Sequence, residues 1–358
     1  MKKSTVISHR QHLLLDKDYE KAAEAASLIY ISDKQPGISR VKKGKGYIYL
    51  FKNKPLKDEA QLERIRKLAI PPSWSDVWIC PDPAGHIQAT GLDLNKRKQY
   101  RYHAKWNLLR GETKFHRLME FGKALPKIRA RIKKDMALPT LTDNKVLATA
   151  ISLMEHTYIR VGNYEYEKMY GSYGLTTLKD KHVKIGGDNI EFSFTGKKGI
   201  EHRIALSNRR LARIIKQCRD VPGKTLFQFY TPDGGHRSID SGMVNHYIKE
   251  AAGQDFSAKD FRTWAGTLQA LECLRELEDV PDEKLIKKNL LQVLDTVSSR
   301  LGNTRAVCKK YYIHPGLFRL YEEQKLRDCI KKCGEKSTHA GEFSPQEELL
   351  MCILEKCS

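Results

Sequence analysis

The chain has 358 residues, of which 64 are Lys or Arg and 43 are Asp or Glu, so its formal net charge is +21. This length favours two domains, and the positive excess favours a polyanionic partner, because contacts between cations and phosphates release condensed counterions. The sequence lacks a run of about 20 apolar residues and a signal-peptide h-region, so we expect a soluble, intracellular, non-secreted protein.

The N-terminal part alternates between strand-like runs and turn signals. After an extension at 1–37 that shows no clear pattern, the segments GYIYLF, DVWIC and HIQATGLDL are separated by turns such as PDPAG. The charged stretch RYHAKWNLLRGETKFHRL then changes the composition and opens a helical region. We therefore predict a small β-rich domain at 38–107.

The next region, at 108–321, is predicted to be mainly helical. The segment LTDNKVLATAISLMEHTYIRVGN predicts a buried amphipathic helix that starts near Thr142 or Asp143 and stops at Gly162. Its predicted core positions are Leu147, Ile151, Met154, Tyr158 and Val161. The turns GGDN and GKKG then divide three β-like runs, which predicts a three-stranded meander with Lys197 in its second turn.

The last periodic helix, KKNLLQVLDTVSSRLGN, is predicted to stop at Gly302, and Thr304 is predicted to cap a short helix after it. Residues 322–358 are interpreted as a helical tail with the cysteines Cys329, Cys333, Cys352 and Cys357. Their spacing matches no standard zinc finger, so we expect reduced thiols and no metal. The complete pattern predicts an α+β protein with a β-rich first domain and a helical second one.

Residue types that suit phosphodiester chemistry occur along the second region. Tyrosine can attack phosphorus, arginine can bind two non-bridging oxygens at once, and lysine can give a proton to the leaving oxygen. Taken alone, each of these residues could equally have a structural role that involves no catalysis. Arg262, for example, would most often be a surface cation paired with Asp255 or Asp260.

The local settings of these residues are more specific. The segments YIRVGNYEY, FTGKKG, AKDFRTWAGT and LGNTRAVCKKYYIHP occur in this order. They resemble the catalytic motifs of type IB DNA topoisomerases of the poxvirus and bacterial branch. The resemblance covers roughly residues 40 to 320, and it implies the catalytic residues Arg160, Lys197, Arg262, Asn303 and Tyr312.

The resemblance also implies a role for each of these residues. Tyr312 would form a 3′-phosphotyrosyl bond, Arg160 and Arg262 would hold the scissile phosphate, and Lys197 would be the general acid. Asn303 stands where the poxvirus enzymes carry histidine, and an amide can donate a hydrogen bond but cannot shuttle protons.

Contacts to DNA are implied as well. Lys259 and Tyr166 match residues of the family that contact the DNA backbone. In RKQYRYH, strand alternation places Tyr100 and Tyr102 on one face and Gln99 and Arg101 on the other. A strand with packed aromatics would explain that pattern, but the resemblance favours a DNA clamp. The implied clamp residues are Lys98, Gln99, Tyr100, Arg101 and Tyr102.

One ambiguity concerns the nucleophile, because the family commonly has serine before it and this chain reads KKYYIHP. Tyr311 therefore competes with Tyr312. The spacing from Asn303 and the following IHP both favour Tyr312.

The resemblance thus implies an ATP-independent enzyme that relaxes supercoiled DNA, and we expect double-stranded DNA as partner, no cofactor, no membrane contact and a monomeric state. Its expected location is the bacterial cytoplasm at the nucleoid, or a virus. A tyrosine recombinase remains an alternative, although KDFR places Lys259 where that family has histidine. A non-catalytic basic DNA-binding protein with the same fold is the other alternative.

Overall fold

The protein is described by a computed structural model that covers residues 8–44, 46–278, 282–334 and 343–357. It divides into two compact units, Met1–Arg117 and Leu118–Ser358. The helix Ala104–Asp135 runs through the division. No helix within the described ranges is both long and apolar enough to cross a membrane.

The first unit is rich in β structure, as predicted. Its helices are α1 His9–Lys17, α2 Tyr19–Ala25 and α3 Glu59–Lys67. Its strands are β1 Ile38–Lys43, β2 Gly46–Phe51, β3 Lys54–Pro55, β4 Ser75–Ile79, β5 Ile87–Leu92 and β6 Lys98–Tyr102. They form one antiparallel sheet in the order β3-β2-β1-β4-β5-β6, against which Ile65 of α3 is buried with Ile38 and Ile79.

Residues 8–37 of the N-terminal extension pack into this unit, which the sequence pattern did not reveal. Leu15 of α1 and Ala22 of α2 are buried with Trp106. The carboxylate of Asp16 accepts one hydrogen bond from Arg110 and one from Arg117, each at 3.0 Å. These contacts join residues about 90 positions apart in the chain, so local periodicity could not predict them.

The second unit is mainly helical. Its helices are the part of α4 (Ala104–Asp135) that follows Arg117, and then α5 Asp143–Thr157, α6 Tyr164–Tyr170, α7 Arg209–Arg219, α8 Ser241–Ala252, α9 Ala258–Glu276, α10 Glu283–Leu301, α11 Arg305–Tyr311, α12 Pro315–Glu322, α13 Leu326–Gly334 and α14 Pro345–Cys357. The strands β7 Val183–Gly186, β8 Asn189–Thr195 and β9 Glu201–Ser207 form an antiparallel meander, and β10 Gln228–Tyr230 pairs with β11 His236–Ser238. The predicted α+β class and the predicted meander are confirmed.

Two helix ends shape the interior of this unit. Helix α5 is capped by Thr142 as predicted, but the predicted stop at Gly162 is wrong. Tyr158 turns into the left-handed conformation with φ 59°, and its N–H bonds to the Met154 carbonyl at 2.8 Å, so the helix closes four residues earlier than predicted. Helix α10 stops at Gly302, which has φ 59°, as predicted.

The C-terminal tail contains a disulfide bond that the sequence analysis did not expect. Cys333 of α13 is bonded to Cys352 of α14, with their Cα atoms 5.8 Å apart. The prediction of reduced thiols is therefore wrong for this pair, because packing of α13 against α14 brings together cysteines that are distant in sequence. Cys329 is a free thiol, and the side chain of Cys357 lies outside the described part.

Helix α14 is fastened to the core through a buried carboxylate. Glu347, 5% exposed, accepts hydrogen bonds from Arg129 of α4 at 2.7 and 3.0 Å and from the indole nitrogen of Trp264 at 3.2 Å. Burial alone raises the pKa of Glu347, but the hydrogen bonds from Arg129 and the Ser344 backbone outweigh burial and hold it below its usual value. Trp264 is on α9, so the tail braces the helix that carries Arg262.

We expect Glu347→Ala to lower the free energy of unfolding by about 2–3 kcal/mol, since it leaves the Trp264 donor unpaired and removes charge-assisted bonds from a partly buried Arg129. The pKa of the folded carboxyl is depressed, so this stabilisation is present above the unfolded pKa and is lost as pH falls through the folded value. Denaturant unfolding followed by tryptophan fluorescence measures it. Glu355→Ala, on the exposed face of α14, is the matched control, and equal midpoints for the two variants would contradict the expectation.

Candidate active site

Arg262 lies at the centre of the candidate site. It belongs to the first turns of α9, is only 5% exposed, and donates hydrogen bonds to the carbonyl oxygens of Tyr158 and of Leu301, the latter at 2.7 Å. Both carbonyls lie at helix C-termini, where unpaired oxygens carry partial negative charge. The ends of α5 and α10 therefore hold this guanidinium.

The ordinary explanation of Arg262 as a surface cation is wrong. Asp260 bonds to Ser257, and Asp255 pairs with Lys249. Within the described ranges, no carboxylate contacts Arg262, and its Nε atom is buried without a hydrogen-bond partner. Burial lowers the pKa of Arg262, an effect that Tyr312 opposes.

Arg160 lies beside this group, three residues after Thr157, the last residue of α5. Its Nη2 atom donates to the carbonyl oxygen of Gly302 at 2.6 Å and to Oδ1 of Asn303 at 2.5 Å. Burial, together with repulsion from Arg262, lowers the pKa of Arg160 to about 10. The amide nitrogen of Asn303 is buried and has no partner in the described part of the chain. An anion between these groups would therefore meet two cations and an available amide donor.

Tyr312 follows α11 and faces this cationic pair. The guanidinium carbon of Arg262 is 5.3 Å from the centroid of the Tyr312 ring. The Tyr312 backbone is held by α9: its carbonyl oxygen accepts from Thr267 at 3.2 Å, and a Cβ atom at Gly266 would lie 2.7 Å from that oxygen. Glycine at this position thus permits the close approach between the two segments.

The neighbouring tyrosine has a different environment. Tyr311 is 41% exposed, and its ring lies 5.3 Å from the ammonium of Lys310. The contacts with Arg262 and the α9 backbone thus belong to Tyr312. The geometry therefore places the Tyr312 ring beside the two arginines.

A second potential nucleophile, Cys308, lies one helical turn before Tyr312. It is fully buried, and burial raises the pKa of its thiol to about 11, although Arg262 and Arg160 act in the opposite direction. The thiol is therefore protonated near neutral pH. A thiol nucleophile reacts as the thiolate, so Cys308 is a poor rival.

Lys197 lies in the exposed turn between β8 and β9, as predicted from the meander. Its ammonium is 5.8 Å from the centroid of the Tyr166 ring, on α6. The contacts of the described residues therefore place Lys197 next to Tyr166 and do not join it to the arginine pair. Lys259 is exposed in the first turn of α9, three residues before Arg262.

Sequence reasoning missed His202, which lies on β9 and contacts the site. Its ring stacks on Phe194 with centroids 5.0 Å apart. Burial lowers the pKa of His202, and repulsion from Arg160 and Arg262 lowers it further. The alternation of residues along β9 could have indicated this position, because it places His202 on the same inward face as the apolar residues Ile204 and Leu206.

The predicted DNA-clamp residues lie in the first unit, on β6. The rings of Tyr100 and Tyr102 are stacked with centroids 5.7 Å apart and are exposed, which agrees with the predicted strand face. The neighbouring side chains make contacts within the unit. Lys98 forms an ion pair with Asp33 at 2.5 Å, Gln99 donates a hydrogen bond to Asp93 at 3.0 Å, and Arg101 donates one to the Ala69 carbonyl oxygen at 2.8 Å.

Two family models match the chain. Residues 103–337 match the catalytic core of eukaryotic DNA topoisomerase I, and residues 46–93 match the N-terminal domain of bacterial DNA topoisomerase IB. Helices α1, α2 and α14 lie outside both matched ranges.

Curated proteins give the same result. The chain is 35% identical over 294 residues to DNA topoisomerase 1B of Acanthamoeba polyphaga mimivirus, which covers 80% of this chain and 88% of the viral protein. It is 23% identical over 295 residues to DNA topoisomerase 1B of vaccinia virus strain Copenhagen, which covers 79% of this chain and 88% of that protein. The chain therefore belongs to the type IB DNA topoisomerase family and is a DNA topoisomerase.

Proposed function

We propose that this enzyme relaxes supercoiled duplex DNA by cutting one strand through Tyr312, allowing rotation, and resealing the strand. The observation that carries the proposal is the pair of guanidinium groups, Arg160 and Arg262, next to the Tyr312 ring and without a carboxylate partner in the described ranges. Buried cations without a protein counter-ion favour an anion that arrives with the substrate. The scissile phosphate is such an anion.

In the proposed cleavage step, the phenolic oxygen of Tyr312 gives up its proton to solvent, attacks phosphorus and forms a 3′-phosphotyrosyl bond. The bond from phosphorus to the 5′ oxygen breaks, and Lys197 donates the proton that this oxygen needs. Religation reverses the step: the 5′ hydroxyl attacks phosphorus, and the tyrosine oxygen leaves. One phosphoester bond replaces another each way, so neither step consumes ATP.

Three donors stabilise the negative charge that develops on the non-bridging oxygens. Arg160 and Arg262 supply permanent positive charge, and the unpartnered Asn303 amide supplies a hydrogen bond. Because the carbonyls at the ends of α5 and α10 hold Arg262 before DNA arrives, little reorganisation is needed during the reaction. The role of Asn303 in this scheme is electrostatic.

We further propose that the Tyr100–Tyr102 face and Lys98, Gln99 and Arg101 contact the duplex, together with Tyr166 and Lys259. Exposed tyrosines and long polar side chains on a strand suit contacts with phosphates and base edges.

We propose that the protein is a monomer and that its chain divides into four segments, 1–37, 38–107, 108–321 and 322–358. Torsional strain in the DNA supplies the direction of the reaction.

Plasmid relaxation tests this function. Purified protein is incubated with negatively supercoiled plasmid in EDTA and without ATP, and the topoisomers are resolved on a gel. We expect the linking number to approach that of relaxed DNA. Binding of plasmid with steep salt dependence but an unchanged linking number would instead support a non-catalytic DNA-binding protein. Strand exchange between sites would support a recombinase.

The role of Lys197 has a separate test. We expect Lys197→Ala to slow single-turnover cleavage by about 10²- to 10⁴-fold, the usual contribution of a general acid. Sulfur leaves as a thiolate without prior protonation. A 5′ bridging sulfur at a mapped cleavage site should therefore raise the cleavage rate of Lys197→Ala at least about tenfold above its rate on the oxygen substrate.

Lys198→Ala, in the same turn, is the matched control, because it removes a neighbouring charge without removing the proposed acid. A defect in Lys197→Ala that is equally large with oxygen and sulfur leaving groups would contradict the assignment.

A further inference from the structure

We infer that His202 is a positioning residue that couples the turn carrying Lys197 to the segment of Gly302 and Asn303. This inference rests on the proposed function and concerns how its general acid is held. It assigns His202 no contact with DNA and no proton transfer. The imidazole ring fills the space between two parts of the site.

The ring lies against two glycines that are far apart in the chain. A Cβ atom at Gly196 would lie 2.6 Å from Cδ2 and Nε2 of His202, and one at Gly302 would lie 2.7 Å from Cε1. Neither position has room for a side chain while the ring is present. His202 therefore contacts both the residue before Lys197 and the residue before Asn303.

Each glycine borders a functional side chain. Gly196 starts the turn between β8 and β9: its N–H bonds to the Ile200 carbonyl at 2.7 Å, and its own carbonyl accepts from Gly199 at 3.2 Å. Gly302 offers its carbonyl oxygen to Arg160 at 2.6 Å. One ring thus links the root of the Lys197 turn to the backbone that orients Arg160.

The ring itself is fixed by its strand neighbours. His202 pairs directly with Phe194 in the β8–β9 register, and the two rings stack with an interplanar angle of 18°. Phe194 is buried in the core of the unit. The position of the imidazole is therefore set by the meander, and the contacts with Gly196 and Gly302 transmit that position to the site.

The charge environment supports positioning over acid catalysis. Arg160 and Arg262 both disfavour a protonated ring, and burial disfavours it more strongly, while the neighbouring Glu201 acts in the opposite direction. A neutral imidazole near two arginines adds no repulsion to the cationic pair. Removal of the ring is then expected to loosen the turn, so that the Lys197 ammonium reaches the leaving oxygen less often.

A double-mutant cycle tests this coupling. Single-turnover cleavage is measured for wild type, His202→Ala, Lys197→Ala and the double variant, with oxygen and with sulfur at the leaving position. We expect His202→Ala to slow cleavage of the oxygen substrate by about 10- to 100-fold, as for a misplacement of about 1 Å. We expect its deficit on the sulfur substrate to shrink to about threefold, and the double variant to lie within about threefold of Lys197→Ala.

A role for His202 that is independent of Lys197 gives a different result. If the two single deficits multiply in the double variant, or if the His202→Ala deficit is the same with sulfur as with oxygen, the inference is overturned. Failure of the proposed function looks different again, because wild type would not cleave or Lys197→Ala would not be slow on the oxygen substrate.

Two further variants separate positioning from general loss of packing. Ile204→Ala removes the next inward side chain of β9, away from the glycine contacts, and is expected to change the cleavage rate by less than about threefold. A rate loss equal to that of His202→Ala would overturn the inference. His202→Gln fills more of the gap than alanine, and we expect an intermediate rate and the same non-additivity with Lys197→Ala, which keeps the test valid if the alanine variant unfolds.

Discussion

Replacing Tyr312 with phenylalanine is expected to abolish plasmid relaxation, with a loss of at least about 10⁴-fold, because no other oxygen takes the place of the lost nucleophile. The ring of the variant keeps its position 5.3 Å from the Arg262 guanidinium and its backbone bond with Thr267. The unfolding midpoint should therefore stay close to that of wild type. Gel assays of relaxation and thermal unfolding of the same preparation measure both quantities.

Tyr311→Phe is the matched control, since it removes the same hydroxyl group one residue earlier. Tyr311 is 41% exposed and lies beside Lys310, so we expect its relaxation rate to stay within about threefold of wild type. Relaxation that survives in Tyr312→Phe and disappears in Tyr311→Phe would transfer the nucleophile to Tyr311.

Arg262→Ala is the second change with a large expected effect. It removes a charge that the ends of α5 and α10 hold beside Tyr312, and we expect cleavage to slow by about 10³-fold or more. Arg262→Lys should also lose about 10²-fold, because an ammonium cannot reproduce the forked contacts of a guanidinium with two carbonyls and a phosphate. DNA affinity should change much less than the cleavage rate, since the interaction strengthens as charge develops on phosphorus.

Single-turnover cleavage and equilibrium DNA binding, measured on one duplex, separate these effects. Arg275→Ala is the control for loss of an arginine from the same helix, because Arg275 is exposed in the last turn of α9. A cleavage rate of Arg262→Ala within threefold of the Arg275→Ala rate would contradict the role assigned to Arg262.

The sequence predicted most of the architecture near the site for physical reasons that act locally. Apolar spacing and capping residues located α5 and α10, because both signals lie within the helix itself. Turn residues divided the meander and placed Lys197 in its second turn. The candidate site residues came from the order of the motifs, since each residue alone had an ordinary explanation.

What could not be predicted depends on contacts between distant segments. The left-handed Tyr158 ends α5 before Gly162, and the carbonyl it exposes meets Arg262, which follows 104 residues later. Periodicity carries no information about such a contact. The contacts of His202 with Gly302 and the bond between Cys333 and Cys352 likewise follow from how the elements pack.

The most direct test of the account identifies the residue that becomes covalently attached to DNA. Wild-type protein is incubated with supercoiled plasmid and denatured with detergent, and nuclease and trypsin then leave a short nucleotide on the tryptic peptide 311–319, which contains both tyrosines. Fragmentation in a mass spectrometer locates the adduct. We predict a 3′-linked nucleotide on Tyr312. An adduct on Tyr311, a 5′-linked nucleotide, or relaxation without any adduct on this peptide would contradict the account.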